Sequence, residues 1–312
     1  MRFSILLPTH HSPNTLSLAI RSILDQELQD FEVLIVLDGV KDETRSVVAS
    51  FSDPRLRVFD LPKAAGFGYA NRNIALQSAR GDLIAFMADD DLITPDHLSL
   101  MDATFSDPKV EIAFSAPVWV SPLGYVLPEP FDLNDPSDLD AFRTTRNFYP
   151  AAAVVHRRSA LDKYGTWPSD GKPAGDWKLW LRIIEGEQCQ NFAIVDTVTV
   201  LHFRATRKIG LIWAPNSVLF LEELAKTAAW WPQALAIDLA ANSSAQAQFR
   251  DRMLDPDCDF VSNLRDGRRE LFSRLARRAV ASSLHPCLCR SLMKGLGLSA
   301  WRRRFRGLLE FS

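Results

Sequence analysis

The chain has little cysteine: Cys189, Cys258, Cys287 and Cys289 in 312 residues. Their spacing matches neither a disulfide framework nor a zinc site, and the close pair Cys287 and Cys289 reads as reduced thiols. A run of about 20 apolar residues, enough to span a membrane, is missing. Lys226, Pro232 and Asp238 break the most apolar candidate, residues 211–241. An excess of one charge is also missing. The 36 Lys and Arg against 38 Asp and Glu leave −2, which gives no electrostatic case for nucleic acid as a partner. There is no internal repeat and no low-complexity linker. The first strand pattern begins at Arg2 and Ile5-Leu6-Leu7 is too short for a signal core, so a leaderless cytoplasmic chain is expected. A hydrophobic content of 47% and a charged content of 24% are those of an ordinary globular protein of one large domain or two modest ones.

What is present is alternation. Apolar runs at residues 3–7, 33–37, 56–59, 83–88 and 110–116 read as strands, with a further short strand at 152–156. Helical patterns lie between them. Ser12 and Pro13 look like an N-cap and first helical position, followed by Leu16, Ala19, Ile20, Ile23 and Leu24 at helical spacing. Further helices are expected at 42–51, 69–79, 95–105 and 176–185. Alternation of this kind implies a mostly parallel sheet with helices on both faces. Residues 117–170 are rich in Pro, Asp and aromatics and read as long loops, where substrate contacts often sit.

The sharpest feature is Asp89-Asp90-Asp91 at the end of the strand pattern 83–88. Ligands of open α/β sheets bind outside the carboxyl ends of such strands. Three adjacent carboxylates repel unless a cation sits among them, and Mg²⁺ or Mn²⁺ bridges carboxylates to phosphates. A metal–diphosphate site is one reading. A solvated acidic turn capping the helix near Pro95 is the other.

Further loops stand in a telling order. Pro8-Thr9-His10 ends strand one. Asp38-Gly39 ends strand two. Gly66-Phe67-Gly68-Tyr69-Ala70-Asn71-Arg72-Asn73 opens a helix. The triple aspartate follows, and then Gly175-Asp176-Trp177-Lys178-Leu179-Trp180. This set resembles the family 2 glycosyltransferases over residues 2 to about 205. The resemblance implies a GT-A fold over residues 1–210, with a helical C-terminal region at 211–312. It implies an inverting, metal-dependent transfer of a sugar, from a nucleotide-sugar donor that is UDP-linked, to a hydroxyl-bearing glycan or lipid-linked acceptor. By position, Pro8 and Thr9 would pass the base and Asp38 would accept from uracil. Arg72 would meet the diphosphate, and Asp89 the ribose. Asp90 would ligate Mn²⁺ or Mg²⁺, with Asp91 and His202 as further metal candidates. Asp176 would be the general base, and Arg204 would lie near the diphosphate. Leu37, Ala88 and Gly175 depart from the family's usual acids.

Competing readings stand beside these. Asp38 also suits a turn before Gly39. Gly66 and Gly68 also suit loop punctuation, since no G-x-G-x-x-G follows. Asp176 also suits an N-cap. His10, His11 and His156 read as local hydrogen-bonders. The departures suggest a non-catalytic nucleotide-sugar-binding module as an alternative. A sugar-1-phosphate nucleotidyltransferase is disfavoured, because no Gly-rich basic loop follows strand one. Near the C-terminus, residues 290–306 hold six basic and no acidic residues. This suits either a solvated helix face or peripheral contact with anionic lipid on the inner face of a membrane.

Overall fold

A computed structural model describes residues 1–121, 124–128, 132–145, 147–168, 170–186, 191–203, 226, 237–238 and 240–266. Arg204, the basic segment 290–306 and most of the expected helical C-terminal region lie outside the described residues. The chain divides into two compact units. One comprises Met1–Pro117 with Tyr149–Leu201, the other Val118–Phe148 with His202–Ser312.

In the first unit the alternation becomes β1 (Phe3–Thr9), α1 (Pro13–Leu24), β2 (Phe31–Asp38), α2 (Asp42–Ala49), β3 (Leu56–Leu61), α3 (Tyr69–Leu76) and β4 (Leu83–Phe86). β5 (Leu92–Ile93) and α4 (His97–Thr104) follow, then β6 (Ile112–Val120), which runs on into the second unit and pairs with β7 (Val126–Pro128) there. α5 (Pro136–Thr144) belongs to the second unit. β8 (Val154–Arg157), α6 (Ser159–Tyr164), α7 (Gly175–Ile184) and β9 (Phe192–His202) complete the sheet and its cover. α8 (Ala245–Leu254) lies in the second unit, where Phe249 packs between Phe203 and Phe260 at ring-centroid distances of 6.0 and 5.3 Å.

The strand order is β3-β2-β1-β4-β8-β6-β9-β5. The first four strands pair in parallel, with Phe3 opposite Phe31 and Leu83. β8 pairs antiparallel with β4 and β6, and β5 pairs antiparallel with β9, so the sheet is mixed. Every residue of β2 is buried, as expected of a parallel strand covered on both faces. The polar exceptions are paired. Ser4 Oγ donates to Glu32 at 2.7 Å, and Arg57 and the Arg80 N–H also donate to Glu32. Burial alone would raise the Glu32 pKa, but these donors hold it below the usual carboxylate value. Gly81 donates to Ser4 Oγ from a site where a Cβ would lie 2.3 Å from the Ser4 nitrogen.

Chain order reverses at β1, which has β2 on one side and β4 on the other. Such a switch point opens a crevice at the strands' carboxyl ends. Thr9 and the segment leading to Asp89 stand at those ends. β4 stops at Phe86, two residues short of the expected end, and β5 intervenes before α4. The three aspartates therefore sit in the turn between two strands and do not cap α4, which begins only at His97.

Two buried histidines give the fold a pH signature. His97 is 1% exposed beside Thr199 Oγ1 at 2.8 Å, and His156 is wholly buried with Nδ1 donating to the Arg157 carbonyl at 2.8 Å. Burial pushes each pKa down from 6.5 to about 4. The unfolded chain thus binds more protons between pH 6.5 and about 4, so this stability is complete above 6.5 and is lost as pH falls through that window. Urea unfolding at pH 7 and pH 5 should show a loss of roughly 1 kcal/mol per pH unit per histidine. His156→Phe should remove about half of that slope; an unchanged slope would place the effect elsewhere.

Candidate active site

Asp38 ends β2 and is 5% exposed. Its Oδ1 accepts from the Ala64 N–H at 2.8 Å and from Asn71 Nδ2 at 2.6 Å, and its Oδ2 accepts from Lys63. Burial opposes the charge, but Lys63, the Ala64 N–H and Asn71 outweigh it and hold the carboxyl below its ordinary pKa. A buried anion with such donors is stable only if every donor stays in place. Asp38 is thus more than a turn residue: it gathers the 63–71 loop around itself. Gly68, at φ +76°, leaves room for it, since a Cβ there would lie 2.6 Å from Asp38 Oδ2.

α3 starts directly after Gly68, and its first turn distributes contacts in several directions. Asn71 bonds Asp38. Arg72 Nη1 donates to Asp176 Oδ1 at 3.1 Å. Asn73 Nδ2 donates to the Trp167 carbonyl at 2.9 Å, and its Oδ1 accepts from the Trp167 N–H at 3.2 Å. The Tyr69 hydroxyl accepts from the Gly175 N–H at 2.9 Å. Burial raises the Tyr69 pKa, and the nearby charge of Asp176 adds to this. The Arg72 guanidinium lies over the Tyr69 ring at 4.8 Å.

Asp176 sits in the first turn of α7, not at its N-cap. The helix begins at Gly175, after Ala174 in a left-handed conformation with φ 64°. Ala174 is the one non-glycine with positive φ among the described residues, a strain that tends to gather at functional sites. Gly175 is dictated by Tyr69, because a Cβ there would lie 2.6 Å from the tyrosine ring. This explains why no acid precedes Asp176. Trp167 Nε1 donates to Asp176 Oδ1 at 2.7 Å, and the carboxylate side chain remains 28% exposed.

Thr9, on β1 after Pro8, donates from Oγ1 to Asp89 Oδ2 at 2.7 Å, joining the carboxyl ends of β1 and β4. Asp90 is 8% exposed and Asp91 1%. Among the described residues no three His, Cys, Asp or Glu side chains group to hold a metal ion. His202 lies in the second unit, its ring 4.6 Å from that of Trp119 and edge-on to it. Trp180 is a core residue, 1% exposed and edge-on to Phe114.

Lys63, Tyr69, Asn73 and Trp167 escaped sequence reasoning. Tyr69, Asn71 and Asn73 flank Arg72 in a stretch already singled out, so their spacing was a usable signal. Nothing in sequence marked Trp167 or Lys63.

Reversal of strand order at β1, with carboxylates on the loops at the strands' carboxyl ends, is the arrangement in which open α/β sheets bind ligands. The family model for glycosyl transferase family 2 matches residues 4–165, and the chain belongs to that family. An Escherichia coli protein, UDP-Glc:alpha-D-GlcNAc-diphosphoundecaprenol beta-1,3-glucosyltransferase WfgD, is 38% identical over 89 residues, 28% of this chain and 35% of that one. The Rhizobium meliloti succinoglycan biosynthesis protein ExoO is 38% identical over 98 residues, 31% of this chain and 28% of that one. The chain thus spans about a third of the length of the first curated relatives it matches. In fold it is similar to the crystal structure of Staphylococcus aureus TarS 1-349 in complex with UDP-GlcNAc. The TM-score is 0.53 at 20% identity, over 81% of this chain and 70% of that one. The GT-A architecture expected from the sequence is the one that forms.

Two glycines with the same backbone sign test the Asp38 pocket. Gly171 has φ +68° with nothing within 4 Å of an added Cβ, whereas Gly68 faces Asp38. Gly171→Ala should cost about 1 kcal/mol of left-handed strain, and Gly68→Ala at least about 1 kcal/mol more, read by urea unfolding. Equal losses would mean that Asp38 is not tightly held.

Proposed function

We propose that the chain transfers a hexosyl group, with inversion, from a nucleoside-diphosphate sugar, UDP-linked, to a hydroxyl of a glycan or lipid-linked acceptor. The observation that carries this is the arrangement at Asp176. A partly exposed carboxylate is held at one oxygen by Trp167 and by Arg72, the latter on the α3 turn that also organises Asp38. Family membership supports the reaction class, and the WfgD and TarS names support a UDP-sugar.

In this reading Asp38 and the 63–71 loop receive the base, and Asp89, tied to Thr9, faces the ribose. Arg72 makes its one hydrogen bond among the described residues to Asp176 and has further donors for the diphosphate. Asp176 accepts the proton of the attacking hydroxyl, a contribution of about 10²–10⁴-fold. One carboxylate near the acceptor suits direct displacement.

The donor set fits a hard divalent cation. Asp90 and Asp91 are the candidate carboxylates, and Mg²⁺ commonly takes only one or two protein carboxylates, filling its sphere with phosphate and water. A site with fewer than three grouped ligands therefore suits Mn²⁺ or Mg²⁺ arriving with the diphosphate. Asp90 is the ligand of choice, with Asp91 as the further candidate beside it. When bound, the ion neutralises charge developing on the leaving diphosphate.

Asp90→Ala should weaken UDP binding in calorimetry and abolish any gain from added Mn²⁺. Unchanged affinity with and without metal would reject the assignment. Asp176→Asn should keep near-native donor affinity and lose at least about 10²-fold in transfer. Donor binding with no turnover in the native protein would instead favour a binding module.

No helix among the described residues is long and apolar enough to cross a membrane. The basic segment 290–306 motivates peripheral contact with anionic lipid at the inner membrane face, close to a lipid-linked acceptor. Full-length protein should co-sediment with anionic liposomes at low salt, and truncation after residue 285 should reduce this while donor binding persists. Absence of co-sedimentation would end the idea.

A further inference from the structure

We propose that Trp167 is a positioning residue for Asp176, acting through its indole N–H, and that with Arg72 it selects Oδ2 as the proton-accepting atom. The proposal rests on the reading of Asp176 as the base.

Trp167 Nε1 and Arg72 Nη1 both donate to Asp176 Oδ1, at 2.7 and 3.1 Å. A carboxylate oxygen offers about two lone-pair sites, so Oδ1 is filled. Among the described residues no hydrogen bond reaches Oδ2. The carboxylate is thus oriented, with one oxygen committed to the protein and the other left for a ligand. As the acceptor oxygen bonds to the anomeric carbon, its proton passes to Oδ2. The bond from that carbon to the diphosphate oxygen breaks, and its electron pair leaves with the nucleotide.

Trp167 is anchored independently of Asp176. It is 2% exposed, its ring meets Phe86 edge-on at 5.2 Å, and Asn73 holds both its N–H and its carbonyl. It therefore acts as a fixed post and does not follow the carboxylate. Burial of an indole does not by itself force such a bond in this fold. Among the described residues, Nε1 of Trp180, a residue 1% exposed, has no hydrogen-bond partner. Two further polar groups of α3 and α7 are engaged elsewhere: Tyr69 with Gly175, and Lys178 with Asp170 at 3.7 Å. Phe86 lies at the end of β4, three residues before Asp89, so the same indole connects the base to the strand that leads into the aspartate turn.

The test is a double-mutant cycle of Trp167→Phe and Asp176→Asn, with turnover of a UDP-sugar read as transfer or, with water as acceptor, as hydrolysis. Phenylalanine keeps an aromatic ring against Phe86 and removes the N–H together with part of the indole's volume, so the Asp176→Asn background is what separates the lost hydrogen bond from lost packing. Trp167→Phe alone should keep UDP affinity and donor KM within about 2-fold and lower kcat about 10-fold, the scale of a misaimed catalytic group. In the Asp176→Asn background it should lower kcat no further, because its effect runs through the carboxylate. Unchanged kcat in Trp167→Phe, or the same fractional loss in both backgrounds, overturns the proposal. Full activity in Asp176→Asn overturns the base reading and this inference together, whereas an inactive Asp176→Asn beside a fully active Trp167→Phe overturns positioning alone. If Trp167→Phe does not fold, Asn73→Ala carries the same cycle, since it loosens the Trp167 backbone and keeps the indole. A kcat loss of about 3-fold confined to the Asp176 background supports positioning, and no loss overturns it.

Discussion

The first turn of α3 is the constraint on which the site depends. Within five residues, Tyr69, Asn71, Arg72 and Asn73 reach Gly175, Asp38, Asp176 and Trp167. A helical turn points successive side chains in different directions, so one short segment can hold several loops at once. The loop before it must arrive in a fixed conformation. Gly66 and Gly68, both at positive φ, provide that entry. The carboxylate that would meet the base and the one that would meet the acceptor are therefore positioned by adjacent residues, and a disturbance at either is felt at the other.

Buried acids elsewhere show the same logic in a structural role. Glu32 and Glu111 are each saturated by donors from distant segments: Glu32 by Ser4, Arg57 and Arg80, Glu111 by Lys163, Tyr164 and Asn191. Each fixes a crossover where the sheet's amino-terminal edge meets its cover. Asp176 differs from them in that, among the described residues, no hydrogen bond reaches its Oδ2, and in its partial exposure. That incompleteness is what the base role proposed for Asp176 requires.

Much of the fold was legible in advance. β1 and β2 are continuous apolar runs because they are covered on both faces, and α1 and α7 carry clear helical periodicity. The antiparallel pairings were not legible. β5 is two residues long, and β8 and β9 owe their direction to pairing partners far away in the chain. The early end of β4 was also hidden, since Met87 and Ala88 are as apolar as the strand before them. For the site, Asp38, Arg72, Asp89 and Asp176 stood out by type and position at element ends. Thr9 was read as a loop beside the base, and its bond to Asp89 came from the pairing of β1 with β4.

By itself the sequence determined the parallel strands of the sheet, the crevice at their carboxyl ends and the acids around it. These follow from local pattern: hydrophobic period, glycine at turns and charge at strand ends. Tertiary structure alone decided which groups meet. Arg72 and Asp176 are 104 residues apart, and Trp167 is 94 from Asn73. No local propensity encodes such distances; they arise when the first turn of α3, packed on β1 and β2, meets the start of α7. Even the absence of an acid before Asp176 has its reason there, in a tyrosine ring 106 residues away that fills the space a side chain at Gly175 would need.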